Sequence, residues 1–88
     1  MTRRVYILFY IHTNKPNYSE ILGVYDTKDR AVDELLERAN FREKNGVLTQ
    51  YLRPTNEYKS MSVLRLKIEQ EMELVDVDIY RISALDIQ

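Results

Sequence analysis

His12, Asp76 and Asp78 are the residues whose type and spacing come nearest to chemistry in this chain. His12 is the sole histidine and stands where an apolar run ends. An acid–base role would rest on one imidazole, and the neighbouring sequence supplies no orienting partner; a structural histidine is the plainer reading. Asp76 and Asp78 lie two apart in LVDVDIYRI. On one strand that spacing puts both carboxylates on the same face, about 6.5–7 Å apart, where they could share a divalent cation. Such a cation needs further oxygen ligands that the sequence does not place, and the plainer role is to keep an edge strand soluble. Glu69, Glu71 and Glu73 extend the acidic stretch without an intervening basic residue, which reads as a solvated face. Ser19, Ser60, Ser62 and Ser83 have no activating context, and no glycine-rich phosphate loop, GxSxG or HExxH occurs. With no cysteine there is no thiolate nucleophile, thiolate metal site or disulfide. The chemistry points away from an enzyme, and neither cofactor nor metal is expected.

Composition narrows the remaining classes. Eighty-eight residues, 44% apolar and 31% charged, with two Gly and two Pro, make one folded globular domain. A formal net charge of −1 lacks the diffuse attraction behind non-specific nucleic-acid binding. The aromatic run VYILFYIH also lacks the pattern of the RNA-recognition motif. A nucleic-acid partner is therefore disfavoured. No stretch approaches the roughly 20 apolar residues of a membrane span, and no membrane partner is expected. Arg3-Arg4 before VYILFYI mimics a signal peptide, but seven apolar residues without a small-residue cleavage site read as a strand. A reducing, cytoplasmic location is the corresponding expectation.

The elements that must position these residues follow from periodicity. VYILFYIH (5–12) is a first strand, and TNKPNYS (13–19) a turn cluster leading to a second strand, EILGVY (20–25), in which Gly23 marks a bulge or a close backbone approach. Asp26-Thr27 offers N-caps to a helix over 27–45, with an apolar stripe of Ala31, Val32, Leu35, Leu36 and Ala39 and Gly46 as its stop. Residues 47–53 form a short strand or extended connection before Pro54. Thr55-Asn56 then caps a second helix to about Met72, striped by Tyr58, Met61, Leu64, Ile68 and Met72. VLRLKIE (63–69) also alternates as a strand would, but the length of the pattern favours helix. LVDVDIYRI (74–82) closes the chain as one strand. The fold class is α+β: an antiparallel sheet of three to four strands with two helices, in the order β-β-α-(β)-α-β, strand 1 being central.

Strand 1 is apolar on both faces, so something must cover each. Val5, Ile7, Phe9 and Ile11 read as core beneath helix 1. The opposite face, with Tyr6, Leu8 and Tyr10, is joined by Tyr25 and Tyr80 and suits semi-buried contact, since a tyrosine buries its ring while its hydroxyl seeks a partner. Either helix 2 packs on this tyrosine face, or it is open and serves as an interaction surface. Val63 and Leu66 project away from the helix 2 stripe and form a second candidate contact, or are scattered surface apolars.

One resemblance is carried by three short pieces: Val5 to Leu8, Gly23 to Ala31, and Asp78 to Ile82. Together they resemble small α+β proteins of phages and large DNA viruses, in which a strand-to-helix junction of the GVY type follows a VYIL-type strand and precedes a DIYRI-type strand. Residues 46–73 are an insertion relative to that pattern. The resemblance implies an accessory or host-modulating factor and supplies no catalytic residue. Two functions are thus expected: a non-enzymatic interaction module, homodimeric or bound to another protein, through Tyr6, Leu8, Tyr10, Tyr25 and Tyr80; or a small-ligand or nucleotide-binding domain, or a dimeric ferredoxin-like enzyme, with a cleft near His12, Tyr10 and Asp78.

Overall fold

The first helix begins as its sequence dictates. Thr27 is extended and accepts a hydrogen bond on Oγ1 from the Arg30 N–H, with Asp29 in the first turn at the positive end of the helix dipole. In the computed structural model, which describes residues 3–12, 14, 19–55, 57–71 and 73–87, this helix α1 spans Lys28–Arg38. It follows strands β1 (Arg3–Ile11) and β2 (Ser19–Tyr25), and after it come β3 (Phe41–Lys44), β4 (Val47–Gln50), β5 (Arg53–Pro54), helix α2 (Met61–Gln70), β6 (Leu74–Val77) and β7 (Tyr80–Ile87). Pro16, Asn17, Asn56 and Met72, on which part of the expected loop, cap and stripe rested, lie outside the described residues.

The fold class is α+β: two helices, a four-stranded antiparallel sheet in the order β2-β1-β7-β6, and a second antiparallel sheet, β3-β4-β5. β1 is central, between β2 and β7, as its two apolar faces require. A bulge does form at Gly23: Leu8 faces Gly23 and Phe9 faces Ile21, leaving Leu22 as the extra residue. A Cβ at position 23 would stand 2.6 Å from the Tyr25 hydroxyl, so the ring lies where a side chain would otherwise be.

Three boundaries differ from expectation because of a tight turn, and a fourth, the start of α2, because of a different cap. Helix α1 stops at Arg38, not near residue 45. Asn40 adopts φ 59° and donates its N–H to the Glu37 carbonyl, ending the helix in the left-handed conformation that asparagine tolerates. Asn45-Gly46 is then a two-residue hairpin turn between β3 and β4, with φ 54° and 76°, the sign pattern of type I′. The last strand is a hairpin, not one strand. Asp78 at φ 56° begins a two-residue turn that pairs Val77 with Tyr80. Helix α2 is a helix over the ambiguous stretch, capped by Ser60, which accepts from the Val63 N–H, instead of by Thr55-Asn56.

The core sits between the four-stranded sheet and the helices. Ala31, Val32, Leu35, Leu36 and Ala39 enter it from α1 and its C-cap, and Leu64 and Ile68 from α2. Phe41 and Leu48 reach it from the second sheet, and Tyr58 packs edge-to-face on Phe41 at 6.2 Å. Lys28 donates its ammonium to carbonyls at the α2 C-terminus, and Arg65 of α2 pairs with Asp33 of α1, so the helices are tied to each other. The extents are 44 × 32 × 17 Å. A thickness of 17 Å holds one helix layer on one sheet, since packed layers lie about 10 Å apart.

Candidate functional site

Cross-strand partners share a face, and the register therefore sorts every sheet residue. Leu8 pairs with Ile82, Tyr10 with Tyr80 and Tyr6 with Ala84, while Val75 and Val77 of β6 pair with Ile82 and Tyr80. This is the helix-covered face. Leu8 is 0% exposed and Tyr80 8%, and Tyr6, Tyr10 and Tyr25 pack partly buried against the same core. The sidedness is thus the reverse of the expected one: helix α1 covers the tyrosine face, and Leu8 and Tyr80 are core residues with no surface to offer a partner. The amphipathic character of tyrosine is met inside the chain. The Tyr80 hydroxyl donates to the Arg38 carbonyl at the end of α1 at 3.4 Å, and burial pushes its pKa above the ordinary tyrosine value.

The opposite face carries Val5, Ile7, Phe9 and Ile11 along β1. Ile7 pairs with Val24 and Phe9 with Ile21 on one side, and Val5 with Leu85 and Arg3 with Ile87 on the other. Leu74 of β6 joins them opposite Ser83. Val5 is buried yet lies outside the main core cluster, as a residue of this other face should. Towards the rim the side chains are open to solvent: Ile21 is 60% exposed, Val24 59%, Leu85 50% and Leu74 49%. A shallow hollow of about 190 Å³ lies on this face between Phe9, Ser19, Leu74, Arg81 and Ser83. Its charged members are already matched. Arg81 donates from Nε and Nη2 to the two Asp76 oxygens at 2.6 and 2.9 Å, and this guanidinium holds the Asp76 carboxyl below its usual pKa.

The residues considered first for chemistry are dispersed. Asp76 faces Arg81, whereas Asp78 sits in the β6–β7 turn and accepts from the Gln50 amide at 3.0 Å, so the two aspartates do not share a face or a partner. Among the described residues no cluster of three His, Asp or Glu converges on a common point. His12 places Nε2 3.6 Å from a Glu20 carboxylate oxygen and meets the Tyr10 ring edge-on at 4.7 Å. Two larger hollows, of about 400 and 460 Å³, flank α1. Their walls hold Asp33, Glu34 and Glu37, which pair with Arg65, Arg38 and Arg42. Val63 and Leu66 stand exposed on α2, at 44% and 54%.

The open face was present in the sequence as Val5, Ile7, Phe9 and Ile11, read there as core. Its partners Ile21, Val24, Leu85, Ile87 and Leu74 were not legible as a group, because only the register brings them together. No family model, curated protein or solved structure matches the chain.

Proposed function

We propose that the protein acts by association, as a non-catalytic module that docks another protein chain on the open face of its four-stranded sheet. The accessory role implied by the phage and viral resemblance is of this kind. One observation carries the reading: a molecule two layers thick leaves a largely apolar sheet face that no described element covers. Sheets that face water on one side normally alternate apolar and polar residues, keeping that side polar. Here the central strand is aliphatic or aromatic on that side, Val24, Ile21, Leu85 and Ile87 beside it are aliphatic, and Ser19, Ser83 and the ion-paired Arg81 interrupt them; an uncovered apolar patch of several hundred Å² is characteristic of a binding surface.

The test is a photo-crosslinking amino acid placed at Val24 on the open face, with a control at Lys59, exposed and outside the sheet. Irradiation should give protein adducts from position 24 and not from position 59. Absence of any protein adduct from position 24, under conditions where the folded state is intact by circular dichroism, would overturn the reading.

A further inference from the structure

We propose that the chain covering the open face is a second copy of this protein, seated sheet to sheet about a twofold axis, which deepens the association reading and rests on it. Two features of the face select that occupant. The first is its charge. Asp76 and Arg81 neutralise one another within the chain, Ser19 and Ser83 are uncharged, Arg3 stands at the end of β1 on the margin of the face, and the positions between are apolar. A face built for a nucleic acid or a charged peptide would present unmatched charge of one sign, whereas a neutral apolar face is complementary to itself. Self-complementarity is what a twofold interface demands, since each residue of the patch meets the same patch. Burying the Asp76–Arg81 pair there leaves no lone charge, because both carboxylate oxygens already accept from the guanidinium.

The second feature is size. The strands β2, β1, β7 and β6, about 4.8 Å apart and rising about 3.4 Å per residue, cover a footprint on the order of 450 Å². That footprint is of the same order as the roughly 600–800 Å² per partner that stable interfaces bury. Two such sheets stack about 10 Å apart with their strands nearly aligned, and the four-layer product, helices outside and sheets inside, has no apolar sheet face left open.

Light scattering over a concentration series, on wild type and on Val24→Asp/Leu85→Asp, tests this. Both substitutions fall at half-exposed positions outside the main core, so the variant should keep its circular dichroism spectrum. The expected result is a wild-type mass of twice the 10.5 kDa chain that falls on dilution, and a variant at 10.5 kDa throughout. A variant that remains dimeric would overturn the placement of the interface. Wild type at 10.5 kDa throughout, with crosslinks from position 24 to other proteins, would overturn the second copy and leave association standing. Wild type at 10.5 kDa with no crosslinks would overturn both.

Discussion

Ile7 and Leu8 are adjacent in the chain and differ in little but direction. Leu8 is fully buried beneath the helices, whereas Ile7 stands on the open face and keeps solvent contact. Leu8→Ala removes side-chain volume from a closed core and is expected to cost about 2–5 kcal/mol, while Ile7→Ala should cost about 1 kcal/mol in protein dilute enough to be monomeric. Urea denaturation of the two variants measures the difference, and equal costs would mean that Ile7 is covered as deeply as Leu8. At Asp76 the prediction concerns pH. The carboxyl pKa is lowered in the folded state by Arg81, so the pair's contribution is present above the unfolded pKa and is lost as pH falls through the lower folded value. In the single chain the pair is solvent-exposed, so in protein dilute enough to be monomeric that contribution is small, a few tenths of a kcal/mol. Asp76→Asn should therefore be slightly less stable than wild type at about pH 7 and equal to it at about pH 2, as urea midpoints will show. A gap that persists in acid would assign the effect to something other than the ion pair.

At the scale of elements, tight turns set the boundaries. Asn45-Gly46 and Asp78 are residue types suited to positive φ, but the β4–β5 turn holds Tyr51 and Leu52 at φ 53° and 67°, and Leu52 is 93% exposed. Neither side chain favours that region, and left-handed backbone at non-glycine residues costs of order 1–3 kcal/mol each. Replacing Tyr51-Leu52 by Asn-Gly should raise the melting temperature, with a gain of about 1–2 kcal/mol. A lower melting temperature would mean that the Tyr51 and Leu52 side chains stabilise the second sheet by contacts that outweigh the backbone strain. The β6–β7 hairpin shows how a turn defeats a pattern. LVDVDIYRI alternates from Val75 to Ile79 as one strand would, yet a two-residue turn places Val77 opposite Tyr80, so Tyr80 and Ile82 share the face of Val75 and Val77 and not that of Asp76. Asp76 and Asp78 lose their shared face for the same reason.

For the whole molecule, the decisive quantity is a thickness of 17 Å, one helix layer on one sheet, and from it come the crosslinking and light-scattering predictions for the uncovered side. Much of the rest was legible beforehand. The sequence by itself determined the α+β class, the central position of β1 and the α1 stripe through Ala39, and it narrowed the α1 cap to Asp26 or Thr27 and the irregularity at Gly23 to a bulge or a close approach, because each follows from local periodicity or from one residue's conformational preference. It also determined that β1 needs cover on two sides. Which side the helices take was decided by the tertiary structure alone. A strand apolar on both faces carries no internal sign of direction, and the choice fell to the residues that the register sets beside it: Tyr80, Ile82, Val75 and Val77 under the helices, Ile21, Val24, Leu85 and Leu74 on the open side. Those alignments span up to 84 residues of sequence, between Arg3 and Ile87, where local pattern has no reach and only the closed sheet brings the partners into line.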